Sequence, residues 1–293
     1  MPSSQIIVNA VVAASTVMLV GSGFLLIYST TRFFHFAHGL VFAACPYFAF
    51  FLKSWLAIPP GAAIVLAVAF AAALGCLMDV LAYRPLRHKG ASPLVLLLAS
   101  LGLYIFLQNG ISLVFGDDTK SIRSGVVTEG VAILGARITP IQITTICVSA
   151  ALVTLLLVLL RKTRLGRAMR AVANDPELAL ISGIDSDRVI LWAFGAGSAL
   201  GGVAGILVAL DVDMTPTMGM NALLLGVVAV VVGGIDSIPG LVMGALLVAL
   251  AQQVGAWQIG SQWQDAIVFV VLLAFLLFRP QGFLGRKLRK AVV

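Results

Sequence analysis

"PIQITTICVSAALVTLLLVLLRKTRLGRAMRAVANDPELALISGID" (residues 140–185) places two kinds of sequence side by side. Residues 140–160 form an apolar run of the length a membrane-spanning helix needs, about 20 residues. A basic cluster, Arg161, Lys162, Arg164, Arg167 and Arg170, ends it. A polar, punctuated segment of the kind found in water-soluble helices follows. The run places the chain in a membrane, and the cluster fixes the side on which it emerges. The polar segment raises the question of what touches it there.

The rest of the chain repeats the first kind of sequence. Its 293 residues are 60% hydrophobic and 11% charged, against about 25% charged in soluble domains. Apolar runs cover approximately 6–28, 33–52, 61–81, 93–115, 140–160, 189–211, 220–235, 238–256 and 262–278. The expected fold is an all-α integral membrane protein with eight to ten membrane segments, some discontinuous or re-entrant. No polar stretch is long enough for a soluble catalytic domain, so residues 1–293 read as a single transmembrane domain. Cys45, Cys76 and Cys147 lie apart within apolar sequence and match no metal or disulfide spacing. "MPSSQ" carries no basic residue ahead of the first run, so a cleaved signal peptide is not expected.

Charge sets the orientation. With nine spans and the C-terminus inside, the cytoplasmic side receives Arg32, Arg84, Arg87, Lys89, Arg161, Lys162, Arg164, Arg167, Arg170, Arg188, Arg279, Arg286, Lys287, Arg289 and Lys290. That leaves Lys53, Lys120, Arg123 and Arg137 outside, 15 of the 19 basic residues against four. The positive-inside rule then makes the N-terminus external, the C-terminus cytoplasmic, and the 116–139 connection, with Asp117, Asp118 and Glu129, an external loop. The net charge of +7 needs no nucleic acid to explain it.

The longest internal connection, about 161–188, is read as a helix, a capped turn and a second short helix. Leu165, Met169 and Val172 form one stripe, and Arg164, Arg167 and Arg170 fan over the opposite face. Asp175 is a good N-cap, Pro176 suits the first helical position, and Glu177 complements the helix dipole. Leu178 follows in a turn and a half of helix, and Gly183 is placed to end it. A basic amphipathic helix lying on anionic headgroups accounts for the first helix. It does not account for the second, which suits mechanical contact with a cytoplasmic protein.

Two places are irregular. "YSTTRFFHFAHGL" (28–40) sets Arg32, His35 and His38 at the start of an apolar run, beside Phe36 and Gly39. If Arg32 marks the cytoplasmic edge, His38 lies roughly two helical turns in. It then faces either a cavity or an interfacial hydrogen-bond partner. His35 and His38 have no acid or cysteine nearby to complete a metal site. "VVVGGIDSIPGLVMGALLVAL" (230–250) sets Gly233, Gly234, Pro239, Gly240 and Gly244 in or beside apolar sequence. Such breaks are tolerated where backbone is buried in protein or lines a cavity. "GSGFLLIYSTTRFFHFAHG" and "GGVAGILVALDVDMTPTMG" are candidates for corresponding halves of a repeat, although small residues packing helices closely explain some of these glycines. Gln108 and Asn109 are read as buried amides that glue helices or line a route. No span carries a paired carboxylate in mid-membrane, and no catalytic signature is present, so energy for uphill transport would come from another chain.

Five stretches in order, "YSTTRFFHFAHG", "LAYRPLR" (81–87), "LGRAMRAVANDPELALISGID", "VVGGIDSIPG" and "LFRPQGFLG" (277–285), resemble the LivH-type permease subunits of branched-chain amino-acid ABC importers. The resemblance implies a bacterial inner-membrane protein working with a second homologous permease subunit, two cytoplasmic ATPase subunits and a periplasmic or extracellular solute-binding protein. ATP and Mg would bind to the ATPase subunits, with no cofactor on this chain. It also implies that Arg167, Arg170, Asp175, Pro176, Glu177, Leu178 and Gly183 belong to the ATPase-coupling segment. The pathway would lie against the partner permease, lined by parts of 33–45 and 226–244. Phe36, His38, Gly39, Gln108, Asn109, Gly233 and Gly234 are its candidate residues.

There are two departures from the family pattern. "FAHG" is followed by "LVFAACPYFAF" where such permeases have a glycine before an Ala-Tyr pair, and Asp236 stands at a variable place in "GGIDSIPG". Related permeases carry urea, short amides or aromatic acids, which remain alternative cargoes. A stand-alone secondary transporter or channel, and an enzyme acting on lipid, are the readings from other classes.

Overall fold

The computed structural model describes residues 2–123, 130–133 and 135–285. Glu129 and the basic residues Arg286, Lys287, Arg289 and Lys290 lie outside the described residues.

The fold is a helical membrane protein. In order the helices are α1 (Pro2–Thr31), α2 (Ala37–Ser54), α3 (Pro60–Met78), α4 (Arg84–His88), α5 (Pro93–Phe115), α6 (Pro140–Lys162), α7 (Arg164–Asn174), α8 (Pro176–Ile181), α9 (Ser186–Asp211), α10 (Met218–Gly233), α11 (Ile238–Gln258) and α12 (Gln264–Phe278). A π-helical turn, Asp79–Tyr83, joins α3 to α4. Among the described residues seven helical stretches are long and apolar enough to cross a membrane: α1, α3 through α4, α5, α6, α9, α11 and the last from Ser261 to Phe278. α10 is apolar but shorter.

Local sequence explains several starts. Thr139 and Gln142 form a reciprocal capping box ahead of Pro140. The Ser237 hydroxyl accepts from the Gly240 N–H at 3.1 Å and opens α11. Within the 116–139 connection Val131–Ile133 and Ala136–Ile138 pair as a short antiparallel hairpin. One expectation needs correction. The second apolar run begins as helix only at Ala37. Arg32 adopts φ 56°, and residues 32–36 form a break, so His38 sits in the first turn of α2 and not two turns into a helix.

The centre of the bundle has an internal inverted repeat. α1–α2–α3 and α9–α10–α11 pack by one pattern: α1 lies against α10 as α9 lies against α2, and α1 against α11 as α9 against α3. α1 and α9 pack along one another, as do α2 and α10. The two glycine-to-glycine stretches, 21–39 and 201–219, are α1–break–α2 and α9–break–α10. They meet at a reciprocal glycine contact, Gly39 against the backbone of Gly219. α1 and α9 approach in the same way just outside the second stretch: a Cβ on Gly23 would lie 2.5 Å from the Gly197 carbonyl oxygen, and one on Gly197 would lie 2.7 Å from that of Gly23. Lipid supplies no hydrophobic drive between helices, so such close backbone packing has to hold them together.

The ends of the bundle differ. At one, Phe33 meets Tyr83, which stacks with Phe194, and Arg84, Arg87 and His88 converge on Asp187. At the other, Lys120 and Met214 form a β-bridge, and Arg123 reaches Asp213 at 3.2 Å. The Ser121 hydroxyl, and after it Arg123, hold the Asp213 carboxyl below the usual carboxylate range.

Candidate functional site

The segment between α6 and α9 forms as its sequence directs. The Thr163 hydroxyl accepts from the Gly166 N–H at 3.0 Å and opens α7, which buries Met169 and Val172 against the bundle. Arg167 and Arg170 are exposed on the other face, and Arg170 donates to the Leu160 carbonyl. One Asp175 carboxylate oxygen accepts the N–H groups of both Glu177 and Leu178 at 3.0 Å, and Pro176 takes the first helical position. Gly183, at φ 80°, donates to Leu180, and Ile184 donates back to Ala179, which closes α8.

α8 is one and a half turns long and touches the bundle through buried Ala179. Leu178, Leu180 and Ile181 are 59%, 65% and 83% exposed. Three large aliphatic side chains thus stand out from a short, firmly capped helix. Within this chain they are uncovered.

The other end of α7 is fastened by a residue far away in sequence. Arg32, in the break between α1 and α2, donates from one guanidinium nitrogen to the Ala173 carbonyl at 2.8 Å. Its other terminal nitrogen lies 3.5 Å from Asp236. Asp236 belongs to the break between α10 and α11, where Gly234 has φ 108°. One side chain therefore joins the α7–α8 segment to the α1–α2 break and to the α10–α11 break. These elements surround an open cleft of about 400 Å³, bounded also by α6.

The remaining candidates fall in three separate places. His38 has no exposed surface; its Nε2 lies 3.3 Å from the Val20 carbonyl, and the ring is wedged between Gly23 of α1 and Gly201 of α9. Phe36 is half-buried, its N–H donating to the Ser100 hydroxyl, and Gly39 is pressed on Gly219. Gly233 packs on the backbone of Gly240. Gly234 meets the segment at 281–285, whose Phe283 and Leu284 amides donate to the carbonyls of Val232 and Gly233.

Gln108 and Asn109 are not the buried amides the sequence suggests. Gln108 is half-buried, and Asn109 is exposed and bonded to its own helix at the Ile105 carbonyl. The reason is that α5 is peripheral, with α2 as its main neighbour, and leaves most of its surface open.

Two ionic features are harder to read in sequence. Arg32–Asp236 is one. Asp79 is the other: fully buried, it meets Arg87 at 2.6 Å, and Arg87 continues to Asp187. The eight-residue spacing of Asp79 and Arg87 is a faint signal, since the π-helical turn between them changes the helical register. Among the described residues no group of three or more His, Cys, Asp or Glu is placed to hold a metal ion.

Comparison with known proteins supplies the family. Residues 6–276 match the family model described as branched-chain amino acid transport system / permease component. The chain is 34% identical to the high-affinity branched-chain amino acid transport system permease protein BraD of Pseudomonas aeruginosa, over 96% of this chain and 95% of that protein. It is 32% identical to the LivH permease protein of the corresponding Escherichia coli K12 system, over 95% and 94%. A probable branched-chain amino acid transport permease protein LivH of Methanocaldococcus jannaschii is 26% identical over 96% and 92%. No solved structure matches.

Proposed function

Because the chain belongs to the family of branched-chain amino acid transport permease components, we propose that it is the membrane-crossing subunit of an ATP-driven importer for branched-chain amino acids. Its work is transport, and ATP is hydrolysed by separate cytoplasmic ATPase subunits. The observation that carries this reading is α8, with Leu178, Leu180 and Ile181 uncovered on a helix that Asp175 and Gly183 hold rigid. A soluble motor docking on that trio would remove it from water.

In this reading the seven long helices cross the bilayer, and α2 and α10 complete nine segments. The N-terminus is external and the C-terminus cytoplasmic, as the 15-to-4 distribution of basic residues supports. A second permease subunit pairs with this one, and a solute-binding protein meets the external end. Closure of the ATPases displaces α7–α8. Arg32 carries that displacement to the breaks at 32–36 and 234–237, where the pathway changes its access. The work comes from the different affinities of nucleotide for the two arrangements.

Purification of the tagged protein in mild detergent from its native host tests the assignment. An ATPase and a second permease of similar size should accompany it. A well-folded chain that repeatedly came alone, and moved solute without ATP in vesicles, would instead be a secondary transporter.

A further inference from the structure

The cleft beside Arg32 has a chemistry of its own. Among the described residues three guanidinium groups, those of Arg32, Arg161 and Arg170, line it, and Asp236 is the one carboxylate in that lining. Arg32 is already matched by Asp236, so the lining keeps an excess of two positive charges. Leu156, Leu157 and Leu160 of α6 form an apolar wall directly below Arg161. On the outer side of the same helix Leu155 and Val158 are exposed, which places α6 at the periphery facing lipid. The cleft thus lies at the basic end of a peripheral helix. It presents positive charge beside the partly buried hydrocarbon of Leu157 and Leu160.

We propose that this cleft binds a phosphate ester, supplied by the headgroup of an anionic phospholipid whose acyl chain lies along the α6 leucines. Charge decides between ligands. A zwitterionic amino acid brings no net charge and leaves the excess unbalanced. A free phosphate supplies charge and leaves the partly exposed Leu157 and Leu160 uncovered. An anionic phospholipid meets both halves, and basic pockets between helices on the cytoplasmic side recognise such headgroups. Seated there, the headgroup bridges α6 and α7 and stiffens the mounting of α8.

The test uses the purified protein with whatever subunits accompany it, and it rests on membrane placement alone. Failure here would therefore leave the importer reading untouched. Phosphatidylglycerol is titrated into delipidated protein in neutral detergent, and bound lipid is counted by native mass spectrometry. Arg161→Gln should weaken binding about fivefold, the ~1 kcal/mol of one basic group beside an anionic headgroup. Lys162→Gln, an equal charge change outside the cleft, should leave it unchanged, and Arg161→Lys should restore most of it. Equal binding to wild type and Arg161→Gln would overturn the site. If excess inorganic phosphate displaced the lipid as effectively as phosphatidylglycerol itself, a free anion would be the ligand and the lipid assignment would fall.

Discussion

Arg32 donates to the Ala173 carbonyl at 2.8 Å across 141 residues of sequence. The residue sits in a left-handed backbone conformation that non-glycine residues adopt reluctantly, φ 56°. Its guanidinium ties the last turn of α7 to the break between α1 and α2, and through Asp236 to the break between α10 and α11. A half-exposed ion pair adds little to stability, up to ~1 kcal/mol. In the proposed mechanism its consequence belongs in coupling.

Arg32→Ala should therefore leave folding and ATPase association nearly unchanged while lowering the solute moved per ATP hydrolysed severalfold. Asp236→Asn should do so more weakly, since the Ala173 contact remains. Uptake and hydrolysis measured together in proteoliposomes decide this. A parallel fall in both rates, with their ratio preserved, would contradict the relay.

Asp175 caps α8 by accepting two backbone N–H groups. Replacing such a cap with alanine costs ~1 kcal/mol of helix stability. Asp175→Ala should weaken ATPase association about fivefold, and Leu178→Pro, which breaks the helix, should abolish it while the membrane domain still folds. Quantitative copurification of the two variants checks both. Full ATPase retention by the double variant would exclude α8 from docking.

The Gly23–Gly197 contact admits no side chain. Gly197→Leu should force α1 from α9 at a cost of ~1–3 kcal/mol or more, with lower yield and an earlier thermal transition in detergent. Unchanged melting would mean that the two helices do not pack this closely.

His38 fills the space between Gly23 and Gly201, so its size should matter more than its charge. His38→Ala should destabilise the protein by ~2–5 kcal/mol, the range for emptying a packed core position. His38→Gln, which keeps bulk and a donor for the Val20 carbonyl, should retain most of the uptake. Loss of transport in His38→Gln at wild-type stability would make the imidazole itself functional.

At the opposite end, Asp213 is held below the usual carboxylate range by Ser121 and Arg123. A lowered folded value means that its contribution is present above the ordinary aspartate pKa, about 3.9, and is lost as pH falls through the lowered one. Amide exchange at Lys120, bonded to Met214, should stay protected down to that acid range. In Asp213→Asn this pH dependence should vanish. Loss of protection already near neutral pH in the wild type would show that Asp213 does not pin this loop.

Local signals made the α7–α8 segment legible. Asp175, Pro176 and Gly183 each act within four residues, and each stands where sequence places it. The repeat was half-visible, as two stretches of equal length running from Gly21 to Gly39 and from Gly201 to Gly219; the reciprocal contacts that join them are tertiary. Hydropathy does not show which face of α5 turns inward, because the helix is apolar all round, and so it gives no sign that Asn109 is exposed. Apolar composition also carried the second run back to residue 33, across a break that the backbone of Arg32 imposes. The Arg32–Asp236 pair left no sequence trace, since neither residue is near the other or Ala173 in the chain.

The most direct test of the account is a photocrosslinker at Ile181, the most exposed of the three aliphatic residues on α8, in intact cells of the native host. A single major adduct with the ATPase subunit is expected, altered in yield when nucleotide turnover is trapped. Adducts with lipid alone, in cells that still import solute, would contradict docking at α8.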